Sequence, residues 1–237
     1  MSEKTLEGRI ALVTGASRGI GWALSLALAE QGAHVIALAR TTGALEELDD
    51  AIKAKGGSAT LVPMDLRDGE AYVRLRDSIA ERWGKLDIMI ANAGALGTLS
   101  PMGQIEPKAW TEVMDVNINA SWMLIRALDP LLQKSDAGRA IFVTSGAADR
   151  PMAFWGAYSV SKAALNAMGL VYAAENENTD LRVNLINPGP MRTAMRARAF
   201  PGEDPDTLPK PAEIAPLFLE LCDPTSKRHG EVIHFQR

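Results

Sequence analysis

The sequence predicts an α/β fold: one domain built as a doubly wound, mostly parallel sheet between two helical layers. Three observations carry this. Seven short aliphatic or β-branched runs alternate with longer helix-period segments along the whole chain. The runs show little apolar–polar alternation, as expected of strands covered on both faces. No linker, internal repeat or shift of composition divides the 237 residues, a length that suits one large domain. Such alternation makes a three-layer αβα architecture that binds its ligand beyond the carboxyl ends of the strands.

The expected strands are Ile10–Thr14, His34–Ala39, Ser58–Met64, Leu86–Ala91, Ala140–Thr144, Arg182–Ile186 and Glu231–Phe235. Between them, helical periodicity covers Gly19–Gln31, Ala44–Lys55, Glu70–Trp83, Lys108–Gln133, Phe154–Asn176 and Ala212–Cys222. The segment Phe154–Asn176 is apolar around much of its circumference, which suggests a burial partner besides the sheet and hence self-association. The Pro- and acid-rich stretch Pro201–Pro211 reads either as a surface connection or as part of a lid at about 190–211.

Composition narrows the function classes. Apolar residues make up 47% and charged residues 23%, the balance of a globular protein. A net charge of −4 argues against a general nucleic-acid binder. The single cysteine, Cys222, lies in an apolar run and is expected to be a buried thiol. With three scattered histidines it gives no metal-ligand spacing, so no metal site is expected. Met1 to Arg9 lacks the charged-then-apolar layout of a signal peptide, and no apolar run is long enough to span a bilayer. A cytoplasmic location is expected.

The first strand runs into Thr14-Gly-Ala-Ser-Arg-Gly-Ile-Gly21, which opens a helix. Gly15, Gly19 and Gly21 permit a tight turn and close approach to a pyrophosphate, while the helix start offers free N–H groups and a positive dipole end. Ser17, Arg18 and Ile20 complete this candidate cofactor loop. The second strand ends at Ala39-Arg40, without the acidic residue that would bind ribose hydroxyls and repel a 2′-phosphate. Arg18 and Arg40 are therefore expected to grip that phosphate, favouring NADP(H) over NAD(H). Asp65 closes the third strand, where its carboxylate could accept from an adenine amino group. Asn92-Ala93-Gly94 closes the fourth with small residues, although Asp, Asn and Gly also favour ordinary strand-end turns.

Tyr158 and Lys162 are four residues apart in a helical segment, so both project from one face. An ammonium beside a phenol favours the phenolate and lowers its pKa, making Tyr158 a usable proton donor and acceptor. Ser145 stands at the end of the fifth strand, where it can hydrogen-bond a carbonyl oxygen.

These motifs in this order resemble the classical short-chain dehydrogenase/reductase family, nearly end to end from Ile10 to about Ile233. The resemblance rests on Thr14–Gly21, Asp65-Leu66, Asn92-Ala93-Gly94, Val116-Asn117, Ser145, Tyr158-Ser-Val-Ser-Lys162, and Pro188-Gly189 followed by Thr193. It implies a Rossmann-like domain and a hydride transfer between a nicotinamide and a carbonyl or secondary alcohol. Tyr158 would be the acid/base, Lys162 would hold the ribose and tune Tyr158, and Ser145 would orient the carbonyl. Asn117 would support a water in a proton relay ending at Lys162. Pro188, Gly189 and Thr193 would hold the carboxamide and diphosphate side of the cofactor, and Leu66 would accompany Asp65 at the adenine. The family implies a homodimer or homotetramer. The C-terminus Glu231–Arg237 lacks the usual Asp-Gly-Gly tail, which makes a dimer as plausible as a tetramer.

On the substrate side, Met152, Phe154, Trp155, Met191 and Met195 read as lining for an apolar carbonyl compound or as core. Arg192, Arg196 and Arg198 read as contacts for an anionic substrate or as a solvated helix face. The alternative to a reductase is a non-catalytic NADP(H)-binding sensor or regulatory protein on the same fold. A complete Asn117–Ser145–Tyr158–Lys162 set weighs against it.

Overall fold

The computed structural model describes residues 4–236. Seven parallel strands form one sheet: β1 (Ile10–Thr14), β2 (His34–Ala39), β3 (Ser58–Pro63), β4 (Ile88–Ala91), β5 (Arg139–Val143), β6 (Arg182–Asn187) and β7 (Val232–His234). Their order is β3-β2-β1-β4-β5-β6-β7. The chain winds outward from β1 to β3, then crosses back to β4 on the other side of β1. That reversal opens a crevice between the ends of β1 and β4, the place where this architecture binds ligands.

Strand residues alternate between two cores, because successive side chains point to opposite faces. Val13, Ala37, Ile90 and Val143 face α1 (Gly19–Glu30), α2 (Thr42–Ala54) and, further along the chain, α8 (Ala215–Cys222). Leu12, Leu38, Met89 and Phe142 face α3 (Ala71–Trp83), α5 (Ala120–Leu132) and α6 (Gly156–Glu175). Both faces are apolar, which is why the strands read as unbroken hydrophobic runs.

Two elements depart from the sequence reading. The segment expected as one helix over Lys108–Gln133 is divided into α4 (Pro107–Met114) and α5 by a π-helical turn at Asp115–Asn119. A single wide turn adds no apolar signature, so periodicity does not reveal it. The second is α7 (Ala194–Ala199), a short helix outside the six expected helical spans and within the segment read as a lid at about 190–211; Thr193 caps it, its Oγ1 accepting from the Arg196 N–H at 3.2 Å.

At the opposite end of the sheet, Asp87 is fully buried at the entrance to β4. Its carboxylate accepts from Arg9 (3.1 Å), Lys85 (2.8 Å), Ser135 (2.6 Å) and the Ile10 N–H (2.9 Å). Burial alone would raise its pKa, but these donors outweigh burial and hold it below the usual value. A depressed carboxylate pKa contributes stability above the unfolded value of about 4, lost as pH falls through the folded value. Asp87→Ala is therefore expected to cost about 3 kcal/mol in urea unfolding at pH 7. The gap to the parent chain should narrow below about pH 4; an equal gap at both pH values would assign the loss to packing instead.

Candidate active site

The carboxyl ends of β1, β2, β4, β5 and β6 border a cleft of about 910 Å³. One half is built on the glycine turn. Gly15 has φ +67°, and a Cβ at Gly21 would stand 2.3 Å from the Gly15 carbonyl oxygen, so only glycine fits where α1 begins. Asn92 fastens this turn to β4: its Nδ2 donates to the Thr14 carbonyl at 2.9 Å. The Asn92 and Ala93 N–H groups both donate to Thr14 Oγ1 at 3.0 Å. Asn92 thus acts through the loop's shape.

The start of α1 has no capping side chain and no acidic residue in its first turn, which leaves N–H groups and a positive dipole end directed at the cleft. Ser17, Arg18, Gly19 and Ile20 line the same space, with Arg40 beyond the end of β2. Arg18 and Arg40 are exposed, and neither forms an ion pair among the described residues. Asp65, Leu66, Ala93, Gly94, Pro188, Gly189 and Thr193 also line the cleft. Asp65 is not free: Arg67 grips both carboxylate oxygens at 2.6–3.2 Å and holds its pKa at about 2. Thr193 lies against the glycine turn, 3.4 Å from where a Gly19 Cβ would be.

The other half gathers Ser145, Tyr158 and Lys162. Tyr158 and Lys162 share one face of α6, with the ammonium 5.8 Å from the phenol ring centre. Both are buried, and Ser145 stands close enough to the Tyr158 hydroxyl to act on its pKa. Lys162 Nζ donates to the Val143 carbonyl at 2.7 Å, a backbone partner that no side-chain motif signals. Burial brings the Lys162 pKa down to about 8. Burial also pushes Tyr158 up, against the lowering effect of Ser145. The direction for Tyr158 is thus opposite to the one read from its spacing to Lys162: here desolvation exceeds the lowering effect of Ser145.

Asn117 occupies the π turn and is buried. Its Oδ1 accepts from the Ala95 N–H at 2.7 Å, and its Nδ2 donates to the Ala95 carbonyl and to Ser161 Oγ. One amide hydrogen thus holds the loop after β4 and the other ties the π turn to α6. A Cβ at Gly94 would lie 3.5 Å from Asn117 Oδ1 and 3.7 Å from Lys162 Nζ, so the two side chains meet behind that glycine.

The wall beyond Tyr158 is largely apolar: Leu96, Ala147, Met152, Trp155, Met195 and Ala199. Trp155 packs edge-on to Tyr158 at 5.8 Å and against Phe200 at 5.7 Å. Met191 lines the cleft from the core, whereas Phe154 is exposed at the rim. The arginines of this region all have partners within the protein. Arg196 pairs with Glu203 through two bonds of 2.6 Å and lies 3.8 Å over the Phe200 ring. Arg192 pairs with Asp206, and Arg198 donates to the Gly97 carbonyl at 2.6 Å across the cleft mouth. Cys222 is buried, its thiol pushed up to about 12, consistent with a packing role. Among the described residues no cluster of metal-ligating side chains occurs, and no helix is long and apolar enough to cross a membrane.

The Lys162 shift has a measurable sign. A lysine whose folded pKa lies below its unfolded value binds fewer protons when folded, so stability rises with pH between about 8 and 10.5. Across that window the parent chain is expected to gain up to about 3 kcal/mol relative to Lys162→Met in denaturant unfolding. Parallel pH profiles would show that the ammonium is not desolvated.

The family model described as short chain dehydrogenase matches residues 9–204. The uncharacterized oxidoreductase YciK of Escherichia coli is 44% identical over 226 residues, covering 94% of this chain and 89% of that protein. Dehydrogenase/reductase SDR family member 4 of Bos taurus is 30% identical, covering 92% and 81%. Among solved structures, a short chain dehydrogenase of Shigella flexneri complexed with NADP superposes with a TM-score of 0.94 at 42% identity, covering 98% of this chain and 99% of that one. Another from Escherichia coli, complexed with NADPH, gives 0.93 at 42% identity over the full length of both. With a family match over most of its length, the chain belongs to the short chain dehydrogenase family.

Proposed function

We propose that this chain is an NADP(H)-dependent oxidoreductase that interconverts a carbonyl compound and the corresponding secondary alcohol. The observation that carries the reading is the gathering of Ser145 with the buried Tyr158 and Lys162 in one cleft with the glycine turn of α1. The cofactor half fits the group it would hold. The uncapped α1 start suits a diphosphate, and two unpaired arginines suit a 2′-phosphate at the end of β2, where an acidic residue would have opposed it. The NADP and NADPH complexes of the two related structures support the same choice.

When bound, the nicotinamide supplies or accepts the hydride. The chain's residues handle the proton and the geometry. Ser145 orients the substrate oxygen and keeps the Tyr158 hydroxyl aligned. Tyr158 Oη gives its proton to that oxygen in reduction and takes it in oxidation. Lys162, anchored by Val143, keeps a positive charge beside the phenol that favours the phenolate once the proton has left. Asn117 positions the Ala95 turn against Lys162; any water it holds in a relay would use its remaining acceptor capacity. Asp65, gripped by Arg67, fixes the rim where the adenine would lie. The segment from about 190 to 211 covers the substrate, braced by Arg196–Glu203 and by Arg198 on Gly97.

We infer a homodimer or homotetramer in a cytoplasmic setting. Val160, Leu170 and Val171 on α6, with Trp122 on α5, remain exposed and supply an apolar face for a second copy. A monomeric mass in light scattering at micromolar concentration would remove that inference.

Tyr158→Phe is expected to lower kcat for carbonyl reduction by about a hundred- to ten-thousand-fold while NADPH still binds. Turnover equal to the parent chain would end the acid/base assignment and favour the non-catalytic binder. Arg40→Ala should raise KM for NADPH by about 10- to 100-fold and leave KM for NADH nearly unchanged. An equal effect on both cofactors would place the 2′-phosphate elsewhere.

A further inference from the structure

Phe154 is the one non-glycine residue with positive φ among the described residues, at +73°. The left-handed region is unfavourable for a bulky side chain, so the surrounding structure must enforce it. Two hydrogen bonds do so. The Trp155 N–H donates to the Met152 carbonyl at 3.2 Å, and the Ser100 N–H donates to the Phe154 carbonyl at 3.0 Å. The second joins the loop after β4 to the loop before α6 across the cleft mouth.

Packing does not account for this conformation, since Phe154 is 57% exposed. Met152 beside it and Met102 are also exposed. Met102 lies directly on the Gly156 backbone: a Cβ there would come within 2.8 Å of its Sδ. Three large exposed apolar side chains therefore stand on the two segments joined by the Ser100–Phe154 bond, and two of them are methionines, which adapt to varied apolar partners. The rim is continuous with the cleft, because Met152 and Trp155 line it and Trp155 packs on Tyr158.

We propose that Met102, Met152 and Phe154 form an apolar shelf that receives the hydrocarbon part of a carbonyl substrate extending out of the cleft. The preferred substrates are then ketones or aldehydes bearing a long alkyl or aryl group, with the carbonyl at Tyr158 and the tail crossing Trp155 and Met152 onto Phe154. This rests on the reading of the cleft as a carbonyl-reduction site. The turn holds Phe154 in an unfavourable conformation because that conformation presents its ring outward.

The test uses methyl ketones from butanone to 2-undecanone with NADPH. Beyond the length the cleft encloses, kcat/KM should rise about two- to fourfold per added methylene. Phe154→Gly, which suits a left-handed position, should flatten that rise without lowering Tm. Met102→Gln and Met152→Gln carry no backbone change and should reduce the slope as well. A flat series for the parent chain, or a slope unchanged in all three variants, overturns the shelf. So does a lowered Tm in Phe154→Gly with its slope intact, which would make Phe154 a packing residue. A change of mass in light scattering on substitution would likewise overturn it, assigning the rim to an interface between copies. Calorimetric binding of the same ketones to the NADP⁺ complex separates the two readings. Affinity rising with length without turnover would keep the shelf and remove the reductase, whereas turnover without any length dependence would do the reverse.

Discussion

The site depends on one buried ammonium. Lys162 is enclosed with no carboxylate paired to it among the described residues, and its direct anchor is the Val143 carbonyl at the end of β5. Burying an unpaired charge is costly, and the pKa near 8 reflects that cost. Near neutral pH most of the population still carries the proton, so the cleft contains a cation in want of electron-rich partners. A phenolate or the hydroxyls of a ribose can supply them. The other features serve this arrangement: the π turn brings Asn117 behind Gly94, Ser161 locks Asn117, and α6 sets Tyr158 one turn before Lys162.

The fold was readable because a parallel sheet covered on both sides leaves a plain record. Each strand is a short apolar run, and each crossover helix carries its own period. All seven strands lie within two residues of their expected limits at either end. The glycine turn was equally legible, since steric exclusion at Gly21 leaves glycine as the one residue that fits. Tyr158 and Lys162 are legible by their four-residue spacing and Ser145 by its place at a strand end, and the structure brings the three to one cleft.

What stayed hidden has a common cause: it depends on backbone groups or distant partners. The Val143 carbonyl carries no side-chain signature. Asp87 and Arg139 sit in or beside strands, and no motif in the sequence names their partners. Arg139 nevertheless donates to the carbonyls of Asp223, Pro224 and Ser226 from a buried position. Arg192, Arg196 and Arg198 left two readings open, and the structure gives a third because their partners Asp206, Glu203 and Gly97 are not helical neighbours. The Tyr158 shift went the other way because spacing reports the nearby cation and says nothing of the solvent removed.

The two halves of the cleft differ in how firmly they are held, which bears on specificity. The cofactor half stands on strand ends and hydrogen bonds between backbone and short side chains, so its shape is fixed before any ligand arrives. The substrate half is closed by α7 and the chain after it, held through Arg196–Glu203, the Arg196–Phe200 stack and the contacts of Trp155 with Phe200 and Tyr158. That series is a continuous physical link from an ion pair at the edge of the segment to the ring of the proposed acid/base. A ligand that displaces Phe200 must disturb the packing on Tyr158, whereas a ligand that fits beneath it leaves that packing intact. Under the proposed function, selection among carbonyl compounds can therefore arise from how a substrate treats Trp155 and Phe200, with no change in the atoms proposed to carry the proton.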